Sequence, residues 1–427
     1  MNIVENPTRE SWKSLSERRG CDTSSVRPLV ATILADVRAR GDSALREYTE
    51  RFDKVRADTF ICPSASVVKA ANEVPDSLVN AIDRAISNIS AFHSSQIRED
   101  DAVETVPGIR CFREKRPIGR IGIYVPGGSA PLFSTLLMLA IPARLAGVRD
   151  LVLVTPPTSE GSIDPVIALC ACRLEIGEIY LMGGAQAIGA LAYGTETIRR
   201  VDKICGPGNQ FVTEAKIQVS MDGGAIDMPA GPSEVLVIAD EGARPDFVAA
   251  DLLAQAEHGA DSDVVLVALS RTFVDAVLEQ VSIQLETLPR APIASQVMNR
   301  SRAIVMESIE DALDFSNVYA PEHLILGVAD PERYVPKVMN AGSVFLGYFA
   351  AESLGDYASG TNHVLPTGRF VTVTSGVSVD TFVKKITFQS VNAAGIASIG
   401  ETVVAMARAE GLEAHARAVV VRRGGAQ

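Results

Sequence analysis

The chain has 427 residues, 47% hydrophobic and 22% charged, a balance that supplies ample apolar material for large cores and excludes a disordered or collagen-like polymer. Its 40 Lys and Arg against 52 Asp and Glu leave a net charge of −12; with no basic stripe, a nucleic-acid partner is not expected, because phosphate binding depends on clustered cations. Six cysteines scatter without a CxxC pair, so neither a thiolate zinc site nor a disulfide framework is indicated.

The opening Met1-Asn2-Ile3-Val4-Glu5 lacks the basic-then-apolar pattern of a secretory signal, and a cytoplasmic location is expected. From Ser24 to Asp53, apolar residues Leu29, Val30, Ile33, Leu34, Val37, Leu45, Tyr48 and Phe52 recur mostly at helical spacing around Gly41, which predicts a helical pair or one bent helix. A second amphipathic helix fits Ser77 to Ser94. Positions 121–143 carry no charge, but Pro126-Gly127-Gly128, Pro131 and Pro142 interrupt them. They read as strand, loop and buried helix, not as a membrane span.

From Ile121 onward, short β-branched runs alternate with helical stretches. Strands are predicted at Ile121–Val125, Leu151–Thr155, Glu178–Met182 and Val201–Cys205, with helices near 134–146, 162–173, 185–193 and 208–219. After Gly231-Pro232 the rhythm restarts, with strands at Val235–Ala239, Val264–Ala268, Ala303–Met306, Leu324–Gly327 and Ser343–Leu346 and helices near 244–257, 272–286, 309–316 and 331–339. Such alternation predicts an α/β fold of two units in series, each a parallel sheet covered by helices on both faces. The early helices are expected to pack onto the second unit. Residues 377–390 read as a short strand or connector, and a helix fits Ile399–Ala409. With little to bury against in its own chain, this tail is expected to dock on a partner subunit.

Three glycine-rich turns directly follow predicted strands: Tyr124-Val125-Pro126-Gly127-Gly128, Gly183-Gly184-Ala185-Gln186 and Gly206-Pro207-Gly208-Asn209. Open α/β sheets bind ligands at the carboxyl ends of their strands, where glycines let backbone amides approach a phosphate. Of the five histidines, His93 reads as a surface or packing residue. Gln255 and His258 share one helix face. Glu322 and His323 pair an acid with an imidazole at the mouth of a predicted strand, as general acid–base chemistry needs. The loop from Gly355 to Pro366, containing Asp356 and His363, is rich in donors and acceptors. Glu410 and His415 lie in the tail. Gln255, His258, Asp356 and one further histidine would make an oxygen- and nitrogen-ligated divalent site that zinc tolerates. The absence of HExxH and GxSxG argues against zincin and serine-hydrolase chemistry.

These motifs, together with Pro229-Ala230-Gly231-Pro232-Ser233-Glu234-Val235 and Ala320-Pro321-Glu322-His323-Leu324, resemble the histidinol dehydrogenases in content and order from about residue 25 to the end. The resemblance implies two similar incomplete Rossmann-like domains with small helical N- and C-terminal appendages, in an interlocked homodimer. Residues 1–24 would form an N-terminal segment, 25–114 with 233–370 a zinc-binding catalytic domain, 115–232 an NAD-binding domain, and 371–427 a dimerisation tail. By the same resemblance, Gln255, His258, Asp356 and His415 are zinc ligands that also contact substrate, with His415 reaching the neighbouring subunit's site. Glu322 and His323 are the catalytic pair, Ser233, His323, His363 and Glu410 contact substrate, and Tyr124, Gln186 and Asn209 hold NAD. Ala130-Pro131-Leu132-Phe133 departs from a common family pattern beside the NAD pocket. The implied reaction is zinc-dependent oxidation of L-histidinol to L-histidine through L-histidinaldehyde with two NAD, the last steps of histidine biosynthesis. A paralogue oxidising another small amino alcohol or diol with the same machinery is the alternative. Neither route needs a thiol, and Cys205 is expected to have no catalytic part.

Overall fold

The structure is a computed structural model and describes residues 1–18, 23–56, 58–127, 132–228 and 231–424. Along the chain, β1 (Asn2–Glu5) is followed by a hairpin of β2 (Val103–Val106) and β3 (Ile109–Pro117). Next come β4 (Arg120–Tyr124), β5 (Asp150–Thr155), β6 (Glu178–Leu181), β7 (Lys203–Cys205) and the short β8 (Ala225–Ile226). A second series contains β9 (Glu234–Ala239), β10 (Asp263–Ala268), β11 (Arg302–Val305), β12 (His323–Gly327) and β13 (Ser343–Leu346), and β14 (Val383–Val391) lies in the tail.

Strands β4 to β8 form a five-stranded parallel sheet in the order β6-β5-β4-β7-β8, and β1 with β9 to β13 forms a six-stranded parallel sheet in the order β1-β11-β10-β9-β12-β13. The expected strands form with ends shifted by no more than two residues. Every residue of β4, β9 and β12 is buried, as in strands covered by helices on both faces. No helix among the described residues is long and apolar enough to cross a membrane; the uncharged stretch instead contributes helix Phe133–Leu145, buried from Ser134 to Ala143. Across the starts of β4, β5 and β6, buried Arg120 pairs with Asp150 and Glu178, each at 2.5 Å. This ion pairing links the three strands and favours their register.

The early helices pack differently from expectation. Helices Arg27–Arg40 and Asp42–Tyr48 bury Val30, Ile33, Leu34, Val37 and Leu45 against Tyr124, Val152 and Val154 of the five-stranded sheet. Helix Asp76–Ser94 puts Ile82 and Ile89 in the core on the opposite face, with Ile121, Ile123 and Leu153. The helices between Arg27 and Ser94 therefore supply cover for the first sheet, not the second, because a five-stranded sheet must bury both apolar faces, while β2 and β3 join β14 in a separate three-stranded sheet. The N-terminal segment is no separate appendage either: β1 pairs with β11, and Trp12 enters the core of the six-stranded unit. The tail is more regular than expected. Strand β14 pairs antiparallel with β3 over its full length, and helices Ala393–Ala409 and Glu413–Gly424 pack on each other.

Behind β7, Lys216 forms a buried ion pair with Asp227 and donates to the Gly206 carbonyl at 2.7 Å, while Asp227 accepts from the Gly206 amide at 2.7 Å. Gly206 has φ +129, and a Cβ there would collide with the Tyr124 carbonyl oxygen, so the turn requires glycine. Replacing one partner of a buried pair leaves an uncompensated charge. Lys216→Met is expected to lower the unfolding free energy by about 3–5 kcal/mol, measured by urea unfolding, and Lys216→Met with Asp227→Leu to lose less. A neutral single variant would show that the ion pair does not stabilise the turn.

Candidate active site

Strands β9 and β12 are parallel neighbours with His323 in register with Val235. Ser233 and Glu322, which immediately precede these strands, therefore share the amino edge of the six-stranded sheet. Helix Pro245–Ala256 follows β9 and runs back along the sheet, bringing buried Gln255 and exposed His258 toward that edge. The short helix Glu352–Tyr357 adds Glu352 and Asp356, one turn apart.

These elements converge on His323. Its Nδ1 lies 3.4 Å from Glu352 Oε1 and 3.8 Å from Glu322 Oε2, and its Nε2 lies 3.7 Å from Asp356 Oδ1. Neither ring nitrogen has a hydrogen-bond partner. Burial, then the neighbouring His363 and His258, push the imidazole down to about 3, which keeps it neutral and able to accept a proton. Glu322 accepts the Glu234 amide at 2.9 Å and a hydrogen bond from Ser233, yet burial raises its carboxyl well above the usual range. Burial also raises Glu352, with Asp356, Glu322 and Asp251 adding to the effect, and takes Asp356 up to about 7.

The ligand atoms of His323, Glu352 and Asp356 lie within 4.8 Å of one another. Fully buried Gln255 has both amide atoms unpartnered, an arrangement that costs about 1–3 kcal/mol per group unless something binds there. Buried carboxylates, neutral imidazoles and an unsatisfied amide oxygen make a donor set that suits a divalent cation and fits zinc.

The loop after Asp356 connects this edge to the first unit. Partly buried His363 is pushed down to about 4 by burial and by His258, and its Nε2 lies 3.5 Å from Thr135 Oγ1 in the first turn of helix Phe133–Leu145. Asn362 donates to the Met138 carbonyl at 2.7 Å and contacts His93 Nε2 at 3.3 Å. His93 is fully buried, so of its two sequence readings the structure selects packing.

The glycine turns occupy the carboxyl edge of the five-stranded sheet. Buried Tyr124 accepts from the Gly184 amide at 3.1 Å, and Asp53 accepts from the Gly183 amide at 3.2 Å. Gln186 is buried with both amide atoms unpartnered. Asn209 caps helix Gln210–Met221 by accepting from the Phe211 and Val212 amides. Gly128, Ala130-Pro131 and Pro229-Ala230 lie outside the described residues. Cys205 is wholly buried in β7, and burial raises its thiol, which opposes nucleophilic use.

Glu410 and His415 are exposed at the tail helices, and among the described residues no hydrogen bond or ion pair joins either side chain to the His323 cluster. Sequence reasoning missed Glu352 and Asp53. Glu352 carries a legible signal, a carboxylate four residues before Asp356, whereas Asp53 meets the Gly183 turn only through tertiary folding.

The profile of the histidinol dehydrogenase family matches residues 16–423. A histidinol dehydrogenase of Xanthomonas campestris pv. campestris is 53% identical over 402 residues, covering 94% of this chain and 93% of that one. A histidinol dehydrogenase of Bacteroides thetaiotaomicron is 48% identical over 422 residues and 99% of each chain. The crystal structure of histidinol dehydrogenase from Elizabethkingia anophelis superposes with a TM-score of 0.97 at 52% identity, covering 99% of this chain and 98% of that one. With the fold and the sequence in agreement over nearly its whole length, this chain belongs to the histidinol dehydrogenase family.

Proposed function

We propose that this oxidoreductase of histidine biosynthesis oxidises L-histidinol to L-histidine through L-histidinaldehyde, using one zinc ion per site and two NAD in turn. The observation that carries the reading is His323: a neutral, buried imidazole set among the carboxyl groups of Glu322, Glu352 and Asp356. The five-stranded unit takes the role of NAD domain, with Tyr124, Gln186 and Asn209 as contacts, and the six-stranded unit that of zinc and substrate domain. A cytoplasmic location accords with such metabolism.

Gln255, His258 and Asp356 would hold zinc with His415 of the partner subunit, and Ser233, His363 and the partner subunit's Glu410 would contact the substrate. The exposed apolar residues Ile386, Phe388, Met406 and Val421 of the tail support its burial in a homodimer. Bound there, zinc supplies a fixed positive charge that orients the substrate. His323 Nε2 takes the hydroxyl proton as hydride leaves the carbinol carbon for NAD, giving the aldehyde. Glu322 then removes a proton from water as it adds to that aldehyde, and the hydrate gives up a second hydride and a proton to become the carboxylic acid. Two NADH per histidinol is the expected stoichiometry; one, or turnover only with a different alcohol, would defeat this reading.

His323→Asn is expected to lower alcohol oxidation by a factor on the order of 10²–10⁴ with bound zinc unchanged; loss of the metal would show that His323 is a ligand. For Glu322→Gln, aldehyde oxidation should fall further than alcohol oxidation, since only the second step activates water. Equal losses in the separately assayed half-reactions would refute that division. Asp356→Ala and His415→Ala chains, each inactive alone, should recover toward half the activity per dimer when subunits exchange, because one site then carries both lesions and the other none. Proven heterodimers without NADH production would exclude a shared site.

A further inference from the structure

The proposed base leaves one buried acid without a task. Glu352 is 1% exposed, its Oε1 is the nearest carboxylate oxygen to His323 Nδ1, and its Oε2 has no partner. We infer that Glu352 is a positioning residue for His323, its carboxyl Oε1 accepting a hydrogen bond from Nδ1–H so that the lone pair on Nε2 faces the substrate. This inference rests on the reading of His323 as the base.

A neutral imidazole has two tautomers, and only the one protonated at Nδ1 leaves Nε2 able to take a proton. Without an acceptor on its Nδ1 side the ring would populate both, and the inactive tautomer would claim a share of every turnover. The two nitrogens of His323 face different partners: Nδ1 looks toward Glu352 and Glu322, and Nε2 toward Asp356. Glu322 is the poorer acceptor, because it lies 3.8 Å away and its nearer oxygen already receives the Glu234 amide. At 3.4 Å, Glu352 lies just beyond a good hydrogen bond, a gap of the size that catalytic hydrogen bonds close when substrate binds.

Local structure explains the placement. Glu352 opens the helix that carries Asp356 one turn later, so one short element presents both carboxylates on a single face. The Phe345 ring lies with its centroid 6.0 Å from that of the imidazole and limits its swing. A carboxylate behind a histidine is a recurrent means of fixing its tautomer and ring orientation, and its removal costs on the order of 10–100-fold where it acts through a metal-bound histidine.

The test uses Glu352→Leu and Glu352→Gln in the full-length enzyme, each alone and combined with His323→Asn. Glu352→Leu should lower kcat for histidinol oxidation by about 10–100-fold, with KM and bound zinc unchanged. Glu352→Gln, whose amide oxygen still accepts a hydrogen bond, should recover part of the loss. In the His323→Asn background neither change should lower activity further, because a residue that acts through His323 has nothing left to orient. Nitrogen NMR of imidazole-labelled protein, assigned with His323→Asn, should find His323 protonated at Nδ1 in the parent and mixed in Glu352→Leu. Glu352→Gln keeps the measurement available if the leucine variant fails to fold. Zinc loss in the glutamine variant, further loss in the His323→Asn background, or a parent protonated at Nε2 would each overturn the inference. An active His323→Asn would remove the base assignment itself, whereas an inactive His323→Asn beside a fully active Glu352→Leu would remove only the role of Glu352.

Discussion

The site depends on one buried side-chain amide. Asn362 donates to the Met138 carbonyl, contacts His93 and accepts from the Val364 amide, which ties a loop of the six-stranded unit to helices of the five-stranded one. Asn88 reinforces the connection by donating to the Ala358 carbonyl at 2.8 Å. The loop so clamped carries His363 and directly follows the helix of Glu352 and Asp356. In this way the loop that leads out of the acid–base cluster is fastened to two helices that cover the five-stranded sheet.

The cluster is poor material for stability. Three buried carboxylates near an uncharged imidazole raise one another's proton affinity, and their desolvation is offset only in part by the hydrogen bonds on Glu322. The surrounding structure compensates from below. Arg18 pairs with Glu234 at 2.5 Å, donates to the Tyr319 carbonyl at 2.7 Å and lies over the Tyr319 ring, fixing the residue whose amide holds Glu322. The N-terminal segment thus contributes to the site without touching it. Such uncompensated polarity, kept in an otherwise apolar fold, is characteristic of positions selected for chemistry.

Much of this was legible in the sequence. Nine of the eleven strands of the two parallel sheets were, all but β1 and β8, because β-branched runs bounded by glycine and proline admit few other conformations, and so was the grouping of Glu322 with His323. The spacing of Val30, Ile33, Leu34 and Val37 reveals an apolar helix face, but nothing in such a pattern names the sheet that will cover it, and so the early helices were assigned to the wrong unit. Strand β1 is four residues long and polar at both ends; the open edge of β11 makes it a strand, not its own propensity. The carboxyl-end rule located the glycine turns yet says nothing of an acid–base cluster on the opposite kind of edge. Glu410 and His415 show no relation to the cluster within one chain, and only the family resemblance ties them to it.

The pairing of β14 with β3 has a consequence for biogenesis. The two strands are separated by more than two hundred residues of chain, so this ladder is among the longest-range contacts in the molecule. Contacts of that range form late, because a long loop must close before they return any stabilisation. Until β14 emerges from the ribosome, β3 presents an unpaired edge bearing Phe112 to the surroundings, the kind of edge that recruits foreign strands. The six-stranded core can condense before that edge is covered, whereas the core of the five-stranded unit is completed only by Val377 and Phe382, directly ahead of β14, so closing that core and covering the edge of β3 fall together at the end of synthesis.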